Sequence, residues 1–248
     1  MQQEIERYAY HTWPAATTLP YGDWILRASG GITKRANSVW TASGNEMPQG
    51  DWLREVEQFY KTQNLPACYH ISDASPKGIE ASLEVAGYSK LFPCSVLVAD
   101  TKQVIQLSSY EPKAITIHFQ PLCADRWLSD FLRLEGFSMD KYDFYSALFS
   151  RITQLKSFCS LYLDGECIAI GTAVVENGWA GFTNIAVKAE LRGQGIGRLL
   201  LHSLAQWSQS HGADRLYLQV LDNNRPAHRL YHKSGFSPLF HYHYRVKD

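Results

Sequence analysis

An α/β protein of two lobes is what the sequence predicts, and three observations predict it. From Lys156 onward, runs of β-branched and aromatic residues alternate first with turn dipeptides and then with helical periodicity. A glycine-rich segment, Arg192 to Arg198, lies between a strand pattern and a helix pattern. The earlier half of the chain repeats the later plan of helix, strand, helix and glycine. From first helix residue to glycine the spacing is 36 residues for Asp51 to Gly87 and 37 for Arg198 to Gly235.

In chain order, Met1 to His11 mixes Glu with polar residues and has no apolar core, so neither a signal peptide nor an anchor is expected there. Gly22-x-Trp24-x-Leu26-Arg27 and Lys34-Arg35-Ala36-Asn37-Ser38 read as strand-like segments. Then come a helix over Asp51 to Gln63, a strand over Ala67 to Ser72, a helix over Lys77 to Ala86, and Gly87-Tyr88. A boundary is placed at Glu111-Pro112, giving lobes 1–111 and 112–248. Beyond it lie a strand (Ala114 to Phe119) and two amphipathic helices, Ala124 to Leu134 and Asp140 to Ile152.

The strands Ser157 to Leu163, Glu166 to Val175 and Trp179 to Val187 are joined by Asp164-Gly165 and Asn177-Gly178. Those dipeptides supply the two positive φ angles of a tight hairpin turn, so an antiparallel meander is expected. In Arg198 to Ser208, Leu200, Leu204 and Trp207 recur at helical spacing; Leu216 to Leu221 alternates as a strand. Arg225 to Ser234 is a helix with Pro226 in its first turn and Gly235 as its stop, and Phe240 to Val246 is a closing strand.

Composition narrows the function classes. Of 248 residues, 45% are hydrophobic and 19% charged, close to globular averages. Lys and Arg number 24 against 24 Asp and Glu, and no basic run occurs, so no footprint for nucleic acid or an anionic membrane is present. Ile168 to Val175, the most apolar stretch, is far too short to span a bilayer. The five cysteines are scattered without a C-x-x-C pair, which points to a cytoplasmic protein rather than a disulfide framework or zinc knuckle.

The segment Arg192-Gly193-Gln194-Gly195-Ile196-Gly197-Arg198 carries the chemistry. Glycines admit a ligand close to the backbone, and free N–H groups at a helix start favour phosphate oxygens. It is not the dinucleotide fingerprint, which would require glycine at Arg198 or Leu200, and no Gly-Lys-Ser/Thr of a P-loop follows. Asn184-Ile185-Ala186-Val187, Arg192-x-x-Gly195-x-Gly197, Asn224-x-x-Ala227-x-x-Leu230-Tyr231 and Gly235-Phe236 together resemble the GCN5-related N-acetyltransferases, from about Ala114 to the C-terminus.

The resemblance implies that family's mixed, mostly antiparallel sheet with flanking helices in the later lobe, and a smaller degenerate copy in the earlier one. It implies acetyl-coenzyme A in a gap between the strands Trp179 to Val187 and Leu216 to Leu221. Ile185, Ala186 and Val187 would hold its pantetheine and thioester. The amides of Arg192, Gly193, Gln194, Gly195, Ile196, Gly197 and Arg198 would hold its pyrophosphate. Asn224 would position cofactor or the turn beneath it, and Tyr231 would protonate the departing thiolate. The activity implied is acetyl transfer to a small-molecule or peptide amine by direct attack in a ternary complex, without a metal. The alternative is a non-catalytic coenzyme A-binding sensor. Gln219 motivates it, standing where a related branch has a glutamate base, and an amide takes no proton at neutral pH. Glu135 and Asp140, flanking the segment between the first two helices of the later lobe, are then the candidate bases. The pairs His228/His232 and His241/His243 share faces, with packing or surface roles favoured over metal binding. In the earlier lobe, Arg35 and Asn37, with Arg27, are candidates for a carboxylate-binding acceptor pocket or for buried hydrogen bonding.

Overall fold

The computed structural model describes residues 1–44, 46–110 and 114–247. In order the elements are α1 (Gln2–His11), β1 (Thr17–Tyr21), β2 (Trp24–Ala28), β3 (Val39–Trp40), α2 (Trp52–Thr62), β4 (Cys68–Ser72), α3 (Ile79–Val85) and β5 (Ser89–Asp100). There follow α4 (Thr101–Leu107), β6 (Ile115–Gln120), α5 (Asp125–Glu135), α6 (Tyr142–Ser150), β7 (Leu155–Leu163), β8 (Glu166–Glu176) and β9 (Trp179–Val187). Last come α7 (Ile196–Ser210), β10 (Arg215–Leu221), α8 (Arg225–Lys233) and β11 (Ser237–Val246). Contacts divide the chain into unit 1, Met1–Ser95 with Leu239–Asp248, and unit 2, Val96–Pro238. The boundary read at Glu111-Pro112 falls outside the described residues.

Unit 1 is a twisted sheet whose two faces differ in chemistry. Strand β2 is antiparallel to β1 and β3, β3 is parallel to β4, and β11 is antiparallel to β4 from Tyr242↔Ser72 to Val246↔Cys68. The closing strand, read from sequence with the later lobe, thus completes this sheet. Because side chains alternate along a strand, Trp24, Leu26, Val39, Tyr69 and Ile71 share one face. They pack with Val56 and Tyr60 of α2 and Ile79 and Leu83 of α3. Helix α2 begins where the Asp51 carboxylate accepts the Arg54 amide as N-cap.

Lys34 to Ser38 is not strand: Lys34–Ala36 is a 3-10 turn. The cause is Asn37, whose Oδ1 accepts the Ser29 and Gly31 amides at 2.6 and 3.0 Å and whose Nδ2 donates to the Thr33 and Ser29 carbonyls. A side chain that engages local backbone so fully competes with a strand ladder.

In unit 2 the strand order is β10-β9-β8-β7-β6, antiparallel except for the β9–β10 pair. Both hairpins turn on the expected dipeptides, with φ of 51° and 82° at Asp164-Gly165 and 48° and 79° at Asn177-Gly178. One face carries Phe158, against Trp127 of α5 and Phe149 of α6, an aromatic cluster whose indole N–H donates to the Cys159 carbonyl at 3.0 Å. The opposite face receives Leu200 and Leu204 of α7, both fully buried. The order α7, β10, α8, Gly235, β11 matches α2, β4, α3, Gly87, β5 element for element. Among the described residues no helix is long and apolar enough to cross a membrane.

Candidate functional site

The site is built where β9 and β10 part. Their parallel pairing runs from Trp179↔Arg215 to Phe182↔Leu218 and stops there, although β9 continues to Val187 and β10 to Leu221. A bulge in β9 drives the separation. Ile170 of β8 faces Ala186 and Thr172 faces Thr183, so Asn184 and Ile185 lie opposite the single residue Gly171. Asn184 takes φ +56°, a conformation asparagine tolerates, and its amide donates to the Thr172 hydroxyl at 3.0 Å. Past the bulge the Lys188 amide donates to the Ile168 carbonyl at 2.8 Å. Alternation of the antiparallel ladder then turns the Val187 N–H away from β8, towards the side that β10 has left.

Gly171 is what lets the bulge close. A Cβ there would meet Leu204 at 2.8 Å and Ile185 at 3.0 Å. Gly171→Val is expected to destabilise the protein by about 1–3 kcal/mol, as overpacking does, and to shift Ile185. Urea unfolding checks the first, and the methyl chemical shifts of Ile185 check the second.

Beyond β9 the chain makes a 3-10 turn, Ala189–Leu191, and enters the glycine loop. The Arg192 amide donates to the Ala189 carbonyl, so the run of available amides starts at Gly193, one residue later than expected. Arg192 instead braces the loop, its Nε donating to the Val187 carbonyl at 3.1 Å, while Gln194 Nε2 donates to the Glu190 carbonyl at 3.1 Å. Gly193 and Gly195 take φ +77° and +87°, and Gly195 is the N-cap of α7 without a side chain to satisfy the first helical amides. Those of Ile196, Gly197 and Arg198 precede the first intrahelical bond, Leu199 N–H to Gly195 C=O at 3.0 Å. Among the described residues these amides have no backbone partner, and amides so placed at the positive end of a 15-residue helix favour an anion.

Helix α8 closes the site. The Asn224 carboxamide accepts the Ala227 amide at 3.3 Å, placing this residue as the N-cap of α8. Gly197 has no side chain where Leu230 of α8 approaches, 3.0 Å from where a Cβ would stand, which locks α7 to α8. Tyr231 is buried, edge-on to Phe236, in the cluster that includes Leu218 and Val220 of β10. Arg225, Arg229 and Lys233, four apart along α8, are exposed.

A family model described as "Probable histone acetyltransferase Rv0428c C-terminal" matches residues 3–246. The "Uncharacterized N-acetyltransferase YobR" of Bacillus subtilis (strain 168) is 39% identical over 245 residues, covering 99% of this chain and 98% of that protein. The chain belongs to the GCN5-related N-acetyltransferases. Solved structures agree in fold: a GCN5-related N-acetyltransferase from Kribbella flavida matches with TM-score 0.72 at 13% identity, covering 99% of this chain and 94% of that one. A tandem protein of this family from the clavulanic acid biosynthesis pathway matches with TM-score 0.66 at 13% identity, over 79% of this chain and 68% of that one. The acetyltransferase thus has a mixed sheet flanked by helices, arranged in two lobes.

The other residues singled out in the sequence are dispersed over the acetyltransferase. Glu135 ends α5 and Asp140 lies in a 3-10 turn before α6, both exposed. Gln219 is half-buried on the part of β10 that has left β9. His228 is bonded to the Leu221 carbonyl at 3.2 Å, His241 to Ser95 at 3.2 Å and His243 to Glu80 at 3.1 Å. Among the described residues no group of three His, Cys, Asp or Glu is placed to hold a metal. Asn37 braces the backbone as described, and Arg35 lies over the Trp13 ring. Tyr110 was not foreseen: its ring lies against Gly195 and its hydroxyl donates to the Gln194 carbonyl at 3.3 Å, so it props the glycine loop. A lone tyrosine after a helix carries no sequence signal for that role.

Proposed function

We propose that the protein transfers the acetyl group of acetyl-CoA to an amine by direct attack. The observation that carries this is the amide series from Gly193 to Arg198 beside the opening between β9 and β10. A pyrophosphate fits the amides, and an extended pantetheine fits alongside the freed edge of β9, where Ile185, Ala186 and Val187 lie. Acetyl-CoA supplies a thioester carbonyl on which negative charge develops as an amine attacks.

The Val187 N–H is a donor fixed by the bulge, and a preorganised donor of this kind stabilises that charge without reorganisation. Much of the acceleration comes from holding two reactants together rather than from a covalent enzyme intermediate. The Tyr231 hydroxyl gives its proton to the departing sulfur. Proton removal from the incoming ammonium falls to Glu135 or Asp140, directly or through water, since Gln219 cannot accept one.

Tyr231→Phe keeps the ring and removes the hydroxyl. Turnover is expected to fall by ~10²-fold with acetyl-CoA affinity unchanged. Release of free thiol against a panel of amines measures the first and calorimetry the second; equal turnover in parent and variant would reduce Tyr231 to a packing residue.

A further inference from the structure

The face of the unit 1 sheet opposite its apolar core is lined with cationic and aromatic groups, with the buried Glu6 carboxylate accepting from Trp40 on it at 3.1 Å. The pairings Ile25↔Trp40, Trp40↔His70 and His70↔Tyr244 put Arg27, Ser38, Trp40, His70, Tyr242 and Tyr244 on that one face. Arg27 is 4% exposed. Its Nε and Nη2 donate to the carbonyl and hydroxyl of Ser38 at 3.0 and 2.8 Å, and its guanidinium lies 5.2 Å from the Tyr10 ring centroid. Arg35 stands 5.0 Å from the Trp13 ring centroid and donates to the Tyr242 hydroxyl.

Neither arginine forms an ion pair among the described residues. The groups acting on Arg27 are the Tyr244, Tyr60 and Tyr10 hydroxyls and the Cys68 thiol; those on Arg35 are Tyr242, Tyr244 and Cys94. No carboxylate is among them. Arg245, on the other face of the same sheet, behaves as a buried arginine ordinarily does, pairing with Glu80 at 2.8 Å and Glu84 at 3.7 Å. A buried cation without a counter-charge is strongly disfavoured, and Arg27 is one, with the half-buried Arg35 beside the same aromatic face. His70 adds a buried Nδ1 that has no hydrogen-bond partner among the described residues.

We propose that Arg27, Arg35, His70 and Tyr244 form a binding site for a small oxyanion, carboxylate or phosphoryl, within unit 1. The guanidinium forks match the paired oxygens of such a group, and Tyr244, which faces both arginines, offers a hydroxyl to it. Burial and the neighbouring Arg27 hold the His70 imidazole neutral, so it hydrogen-bonds the ligand without adding a third cation. Tyr10, stacked on Trp40 at 5.2 Å, and Tyr242, whose ring lies 4.5 Å from that of His70, wall the site and restrict it to small guests.

The test is calorimetric titration of the full chain, saturated with coenzyme A so that the unit 2 glycine loop is occupied, with acetate in one arm and inorganic phosphate in the other. One anion is expected to bind with one-to-one stoichiometry, and the arm that responds identifies the class. Arg35→Gln should weaken it at least tenfold and Arg27→Lys, which keeps the charge but loses the fork, by a comparable factor, with coenzyme A affinity within twofold of the parent. If Arg27→Lys does not fold, as judged by circular dichroism, the half-buried Arg35 decides alone. No binding of either anion at millimolar concentration, or equal affinity in Arg35→Gln, overturns the proposal. The result is independent of acetyl transfer, because thiol release is not read.

Discussion

Gly193→Glu is expected to lower the affinity for acetyl-CoA by about 10³-fold or more, roughly 4 kcal/mol. A Cβ at this position meets nothing within 4 Å, so the side chain projects from the loop without displacing its neighbours. The carboxylate then stands at the mouth of the Gly193 to Arg198 amides and opposes the pyrophosphate. At φ +77° a side chain is strained by about 1–2 kcal/mol, which the Gly193→Gln control isolates, since glutamine carries the same strain and adds no charge. Glutamine should retain most of the affinity. Calorimetry giving the glutamate variant the parent's dissociation constant would remove the loop from the cofactor site.

Acid is expected to destabilise unit 1 through His70. Burial first, then Arg27, His243 and Arg35, lower its pKa from 6.5 to about 3. The unfolded chain takes up the proton near pH 6.5 while the folded one refuses it until about pH 3. Stability from this residue is therefore complete above that window and falls as the pH drops through it, by roughly 4–5 kcal/mol in all. The rings of Tyr242 and Tyr244 also face it and stay neutral throughout, burial raising both hydroxyls. His243, lowered chiefly by burial, acts in the same direction. The Glu80 carboxyl does so at lower pH: burial raises it, but Arg245 and His243 more than offset that and hold it below the usual range. Glu6 acts oppositely, because burial raises its pKa and the folded state takes up its proton first. His70→Phe should flatten the decline measured by urea unfolding between pH 7 and 4. An unchanged slope would place the acid sensitivity elsewhere.

The later lobe was largely legible because its signals are local. Asp164-Gly165 and Asn177-Gly178 fix their hairpins through positive φ, and Asn224 with Pro226 starts α8 where capping requires. The glycine loop between β9 and α7 was legible too, because glycine spacing and backbone geometry are nearly the same information. The bulge at Asn184 was not, since it depends on how two strands register and on Thr172, twelve residues away. In unit 1 the reading of Lys34 to Ser38 as strand-like failed because Asn37 rewrites the local hydrogen bonding. Helices α1 and α4 escaped notice: each is short, and burial rather than periodicity stabilises it, Ile5 and Val104 being fully enclosed. The pairing of β11 with β4 brings together residues some 170 positions apart, Tyr242 with Ser72. No window along the sequence contains that.

That pairing also fixes an order of assembly on the ribosome. Unit 2 is one uninterrupted stretch and has all its strands once Pro238 has emerged, whereas unit 1 waits for residues 239–246. At about 5–20 residues per second, β4 is synthesised many seconds before the strand that covers it. During that interval its N–H and C=O groups form an open edge, the kind of edge that recruits foreign strands. The nascent chain is thus vulnerable to aggregation at β4 throughout that interval, and chaperone demand should track the separation between Ser72 and Tyr242 rather than overall length.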